Sequence, residues 1–166
     1  MLDHVLVKTP EQINLTAHLA KQIWTEHYSN ILQMEQISYM VEKFQSAKAI
    51  KEQIKNQNYQ YYLLYSDKQA IGYTAIQPQA ESLFLSKIYI KKEARGKKYA
   101  SLTLRFLENL CRNNGWAKIW LTVNKNNTNS IAAYQAMGFH AADTQVADIG
   151  NGFVMDDYIM EKIIEL

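Results

Sequence analysis

The period of the apolar positions changes near residue 59, and that change divides the chain. Between Glu11 and Asn58, apolar residues recur every three or four positions. Ile13, Ala17, Ala20, Ile23 and Trp24, with His27, form one set; Ile37, Met40, Val41 and Phe44 a second; Ala47, Ile50 and Ile54 a third. This spacing predicts helices that bury one face, with a loop over Tyr28–Met34. Thr9 ahead of Pro10 marks a helix start, since proline tolerates the first helical position and threonine can cap it. His4–Lys8 in front of it reads as a short strand. From Tyr59 the period is two. Tyr59–Ser66 and Ala70–Gln77 read as a hairpin around Asp67-Lys68-Gln69, ended by Pro78. Leu83–Ile90 reads as a third strand, with Leu83, Leu85 and Lys87 on one face and Phe84, Ser86, Ile88 and Ile90 on the other.

A helix follows from about Lys98 to Asn113, with Tyr99, Thr103, Phe106, Leu107, Leu110 and Cys111 as its buried stripe and Gly115 as its stop. Lys118–Val123 is then a strand and Thr128–Met137 a short helix closed by Gly138. Two last strands, His140–Asp148 and Phe153–Ile164, are joined by Gly150-Asn151-Gly152. The strand-helix-strand unit in the middle predicts a right-handed parallel crossover, and the strands before it should be antiparallel. The expected class is therefore α/β, a mixed sheet covered by helices. No repeat, low-complexity tract or Pro/Gly-rich linker interrupts the 166 residues, so residues 1–166 are expected to form a single domain.

Composition narrows the function classes. A net charge of only +2 is too small for a general nucleic-acid binder. The basic residues instead gather locally, at Lys87, Lys91, Lys92, Arg95, Lys97 and Lys98, which suits a small anion. The one cysteine, Cys111, excludes an internal disulfide and any multi-cysteine metal site, and its helical position reads as core. No metal is expected. The start of the chain has no apolar signal core, and no apolar run approaches the roughly 20 residues that span a bilayer. A cytoplasmic protein without a membrane partner is the expectation.

Two stretches carry the chemistry. In Arg95-Gly96-Lys97-Lys98-Tyr99-Ala100 a strand ends, the chain turns and a helix begins. The first amides of that helix lack intrahelical acceptors and share its positive end, as an anion such as a pyrophosphate requires. In Asn124–Phe139, Asn127 stands where a helix cap or an amide partner belongs, and Tyr134 follows about two helical turns later on the same side.

Together the stretches resemble the GCN5-related N-acetyltransferase (GNAT) superfamily. Its Gln/Arg-x-x-Gly-x-Gly/Ala signature is met by Arg95 and Ala100, with Lys98 where the family has glycine. Its Asn-x-x-Ala/Ser-Ile-x-x-Tyr-x-x-x-Gly-Phe pattern is met throughout by Asn127, Ser130, Ile131, Tyr134, Gly138 and Phe139. The order of elements agrees across nearly the whole chain. The resemblance implies a central splayed sheet of about seven strands flanked by helices, and one N-acetyltransferase domain over residues 1–166 with acetyl-CoA as the acyl donor. It implies that backbone groups of Ile88, Tyr89 and Ile90 pair with the pantetheine arm like an added strand. The amides of Arg95, Gly96, Lys97, Lys98, Tyr99 and Ala100 would hold the pyrophosphate, and Asn127 would contact the cofactor. An N–H near Ile88 would steady the oxyanion. Tyr134 would protonate the leaving thiolate by direct transfer. Lys98 leaves its amide available, and its ammonium could also meet a phosphate.

The general base stays open. Phe84 stands where many relatives place a glutamate, leaving Glu26, His27, Glu81 and Asp157 as candidates. In the superfamily the first helices and the last strands select the acceptor. Here they hold Trp24, Glu26, His27, Tyr28, Tyr39, Met155, Asp156, Asp157 and Tyr158, of which Trp24, Tyr28 and Asp157 are the candidate substrate contacts. Aromatic and acidic groups suit a cationic amine, and the Trp24–Tyr28 helix and closing strand are similar to those of bacterial diamine/polyamine N-acetyltransferases. A protein N-terminal or lysine acetyltransferase and a non-catalytic CoA-binding module are the alternatives. A homodimer is possible in this fold.

Overall fold

The protein is described, over residues 1–166, by a computed structural model. Leu2–Leu6 (β1) leads into three helices, Pro10–Tyr28 (α1), Met34–Gln45 (α2) and Ala47–Asn56 (α3). Gln60–Ser66 (β2), Gln69–Pro78 (β3) and Ser82–Ile90 (β4) follow. A single 3-10 turn, Lys92–Ala94, stands before Tyr99–Asn114 (α4). Lys118–Asn124 (β5), Thr128–Ala136 (α5), His140–Gly150 (β6) and Phe153–Ile163 (β7) complete the chain. The strands form one sheet in the order β1-β2-β3-β4-β5-β7-β6, antiparallel throughout except between β4 and β5. This is the mixed α/β sheet that the residue pattern predicts, with the seven strands that the family resemblance implies.

Local chemistry sets the boundaries. Thr9 Oγ1 accepts from the Gln12 amide at 3.2 Å, while Gln12 Oε1 accepts from the amides of Thr9 and Lys8 at 3.0 and 2.7 Å. This reciprocal capping box draws Lys8 toward the helix. The first strand consequently spans Leu2–Leu6 and not His4–Lys8. Asp67 and Lys68 both have positive φ, 50° and 65°, the signature of a tight type I′ hairpin. The turn is therefore two residues, and β3 begins at Gln69.

Helices α1–α3 cover one face of the sheet, where Leu19, Ile23, Ile37 and Ile50 pack on Tyr61, Leu63, Tyr73 and Ala75. A polar chain runs through this layer. Trp24 Nε1 donates to the Tyr73 hydroxyl (3.1 Å), which donates to Gln45 Oε1 (2.7 Å). Gln45 Nε2 donates to the Tyr61 hydroxyl (3.0 Å), which donates to Gln53 Oε1 (2.6 Å). A network satisfied at each of these links fixes the three helices on β2 and β3. On the other face, Leu104, Leu107 and Cys111 of α4 meet Leu83, Leu85, Ile119, Leu121 and Met160. Cys111 is fully buried, its thiol pushed up to about 11 chiefly by that burial, as a core residue.

Two features of β4 position everything that follows. Its parallel pairing with β5 lasts only from Ser82↔Lys118 to Phe84↔Trp120; past that point the strands diverge. Opposite β3, Ala75 pairs with Lys87 and Ile76 with Leu85, so Ser86 is the extra residue of a β-bulge. A bulge reverses the alternation. Leu83, Leu85 and Ile88 share the α4 core, while Tyr89 joins the α1–α3 layer and Lys87 places its ammonium 5.8 Å from the centroid of Tyr61 in that layer. The strict two-residue period, which set Lys87 beside Leu83 and Leu85 and Ile88 opposite them, fails at Ser86.

The end of β4 lies close against β3. A Cβ on Gly72 would fall 2.1 Å from the Tyr89 carbonyl oxygen. Gly72→Ala is therefore expected to destabilise the fold by about 1–3 kcal/mol through forced backbone displacement, measurable as a lower midpoint in urea; an unchanged midpoint would refute the close approach.

Candidate active site

The divergence of β4 from β5 opens a wedge, and the loop after β4 closes one end of it. Gly96 has φ 83° and Lys98, the N-cap of α4, has φ 64°. Lys98 thus takes the left-handed conformation that glycine adopts freely, at a cost of about 1–2 kcal/mol. With the chain turned this way, none of the amides from Gly96 to Ser101 finds a backbone or side-chain acceptor in the protein. These consecutive N–H groups stand at the positive end of a 16-residue helix, an arrangement that fits an anion. A Cβ on Gly96 would meet nothing within 4 Å, so the approach is open.

The loop faces α5. Ile90, Arg95, Gly96, Lys98, Tyr99 and Ala100 line a cleft of about 320 Å³ with Ala133, Ala136 and Met137. Arg95 Nε donates to the Ile90 carbonyl at 3.1 Å, which folds its side chain back on the strand end. Lys97 lies elsewhere, in a separate hollow with Asp67 and Lys91. The Tyr99 hydroxyl is tied to Ser66 Oγ at 2.8 Å.

The far wall of the wedge is fastened to α1. Asn127 caps α5, its Oδ1 accepting from the Ser130 amide at 3.2 Å. That use of Oδ1 leaves Nδ2 to donate to His27 Nε2 at 2.9 Å. Burial first, and the nearby Arg95 charge second, lower the His27 pKa and keep the ring neutral. Its Nε2 is occupied, so His27 acts as a brace and is not placed to be a base. Tyr134 packs edge-on against Phe139, ring centroids 5.5 Å apart. Its pKa is raised above the usual tyrosine value, mainly by burial and then by the neighbouring Tyr28. The hydroxyls of Tyr28 and Tyr89 hydrogen-bond at 2.9 Å, and Trp24 packs against both rings.

Beyond Tyr89 the wedge becomes a cavity of about 270 Å³, lined by Trp24, Tyr28, Phe84, Lys87, Tyr89 and Asp157 among others. Phe84 stacks on Trp120 at 4.4 Å, so β4 offers no carboxylate at that position. Asp157, opposite Asn124 in the β5–β7 ladder, is 5% exposed, and its Oδ1 has no hydrogen-bond partner. Burial, with the Asp156 charge beside it, pushes its carboxyl up to about 6. Asp156 itself is exposed and pairs with Lys125 at 2.9 Å. Glu81 sits in an exposed turn; Glu26 is half-buried with one carboxylate oxygen unpartnered.

The structure thus gathers Trp24, Tyr28, Tyr89 and Asp157 around the cavity and Ile90, Arg95, Gly96, Lys98, Tyr99 and Ala100 around the cleft. Sequence reasoning placed Lys87 with the basic cluster of the loop. It is instead 9% exposed inside the cavity, its ammonium 5.8 Å from the Tyr61 ring centroid, with burial lowering its pKa to about 7. A lysine set between Leu85 and Ile88 in an apolar strand was the available signal.

The Asp157 carboxylate has a signature in stability. Its folded pKa exceeds the unfolded value near 3.9, so the folded state disfavours ionisation. The penalty is absent below pH 4, grows between pH 4 and 6, and is complete above that, at roughly 2–3 kcal/mol. Asp157→Asn is expected to raise the melting temperature at pH 8 and leave it nearly unchanged at pH 4; equal shifts at both pH values would contradict the burial effect.

Comparison with known proteins places these features in context. Residues 21–139 match the acetyltransferase (GNAT) family. The PaiA N-acetyltransferase of Thermoplasma acidophilum, solved in complex with coenzyme A, superposes with a TM-score of 0.80 at 21% identity, over 98% of this chain and 99% of that one. The ribosomal-protein-S18-alanine N-acetyltransferase of Escherichia coli gives 0.73 at 17% identity, over 100% and 96%. A spermidine N-acetyltransferase SpeG chimera from Vibrio cholerae and hSSAT gives 0.68 at 18%, over 98% and 94%. Likenesses at these identities establish a shared fold.

Proposed function

Because the chain belongs to the GNAT acetyltransferase family, and is an acetyl-CoA-dependent N-acetyltransferase, we propose that it acetylates the primary amine of a small acceptor seated beside Asp157. The observation that carries this reading is the run of unpaired amides from Gly96 to Ser101 at one end of a wedge whose other end is a cavity lined by a buried carboxylate. Acetyl-CoA supplies the activated acetyl group as a thioester. The loop amides and the Lys98 ammonium suit its pyrophosphate, and the β4 backbone from Ile88 to Ile90, past the end of the β5 ladder, suits its pantetheine arm. Residues 1–166 would act as one N-acetyltransferase domain.

The chain's own groups then divide the proton work. An ammonium must lose one proton before it can attack, and Asp157 is the carboxylate placed to hold that ammonium and receive the proton. The thiolate that leaves needs a proton, and the Tyr134 hydroxyl, protonated at neutral pH as a tyrosine is, would donate it. Asn127 contributes by holding α5, and with it Tyr134, against α1.

Asp157 and the aromatic walls also favour a polyamine-like acceptor. Lys87 in the same cavity opposes it, since a second ammonium there would meet a like charge. A cavity of about 270 Å³ favours a small molecule over an extended peptide.

Free-thiol release from acetyl-CoA across a panel of monoamines, polyamines, amino acids and peptides tests the reading. Release with small primary amines is expected. CoA binding without release for any acceptor would indicate a binding module. Within the active set, Tyr134→Phe is expected to lower kcat about 100-fold with the KM for acetyl-CoA little changed. The Tyr134 hydroxyl makes no hydrogen bond in the protein, so the variant should fold normally; an unchanged kcat would remove Tyr134 from the proton transfer.

A further inference from the structure

Two opposite charges face one cavity without meeting. Lys87 enters from β4, turned inward by the bulge at Ser86; Asp157 enters from β7. Both are more than nine-tenths buried. Lys87 Nζ has no hydrogen bond or salt bridge to the protein and stands 5.8 Å from the centroid of the Tyr61 ring, and Asp157 Oδ1 has no hydrogen-bond partner. No ion pair within 4.0 Å joins them. Partial loss of water from each charge is costly, and neither group recovers that cost through a partner in the protein. Aromatic rings of Trp24, Tyr28, Phe84 and Tyr89 share the lining of the cavity with them.

We propose that this cavity is a subsite for an acceptor that carries a carboxylate as well as an amine, a small amino acid, with Lys87 holding the carboxylate and Asp157 the ammonium. The inference rests on the acetyl transfer proposed above and names its substrate class. A zwitterion with its charges a few ångströms apart satisfies both buried groups at once. A simple amine leaves Lys87 unpartnered, and a polyamine sets a second ammonium against it. Binding converts two desolvated single charges into two charge-assisted hydrogen bonds, each of the strong kind. The aliphatic stem of the acceptor rests against the aromatic wall.

The experiment compares α- and ω-amino acids with matched compounds in which the carboxylate is replaced by a carboxamide. It reads kcat/KM by thiol release and binding by calorimetry in the presence of CoA, for the wild type, Lys87→Met and Lys87→Arg. Methionine replaces a buried ammonium with an apolar chain of similar length, so folding should hold, and a thermal melt checks it. The wild type is expected to favour at least one amino acid over its carboxamide by tenfold or more in both readouts. Lys87→Met should erase that preference, and Lys87→Arg should keep part of it. Equal use of carboxamides, a preference for polyamines, or an equal loss on both members of a pair in Lys87→Met would overturn the subsite. Amino-acid binding that depends on Lys87 without turnover of any amine would instead leave the subsite standing and refute the transfer.

Discussion

The parting of β4 from β5 after three paired residues is the constraint on which the rest depends. A sheet that stayed zipped to the end of β4 would satisfy its own backbone and leave no wedge. Here the strand twists away, the Ser86 bulge adds to that twist, and the edge of β4 facing the gap is released from the β5 ladder. Two side-chain hydrogen bonds tie the walls of the wedge to α1. Asn127 bonds His27 across its mouth, and Tyr28 bonds Tyr89 across its floor. The first joins α5 to α1 and the second α1 to β4, so the two walls are linked through α1.

The wedge answers two unlike electrical demands. At the loop end, backbone amides and the α4 dipole supply positive potential without burying a full charge, so the anion site costs the fold little beyond the left-handed Lys98. At the cavity end, the protein buries a lysine and an aspartate that ordinary packing would have excluded or paired. Such groups are expensive where they stand, and sites that depart from the rules of stable packing are where function concentrates. The polar chain from Trp24 to Gln53, satisfied at each step, gives the cavity a rigid back wall against which that cost can be borne.

Most of the architecture was legible in the residue pattern, because helix faces and strand alternation are local. The three early helices, the hairpin, the crossover and the core role of Cys111 followed from spacing alone. The Asn127–Phe139 stretch was legible as a motif. What escaped were non-local effects. The bulge depends on how β4 meets β3, and no single strand shows it; with it went the true place of Lys87. The β1 boundary slipped because the capping box drew Lys8 toward α1. The bond from Asn127 to His27, 100 positions apart, turned a candidate base into a brace. Lys98 went the other way: the departure from glycine that the motif exposed is absorbed by a left-handed lysine.

The central claim, that the wedge between β4 and α5 receives CoA through unpaired backbone, is open to direct observation. Backbone amide spectra recorded during a CoA titration should show the largest shifts and the strongest gain in exchange protection at Gly96–Ser101 and Ile88–Ile90, with β1, β2 and β6 unmoved. CoA that binds by calorimetry while those amides keep their shifts and exchange rates would contradict it.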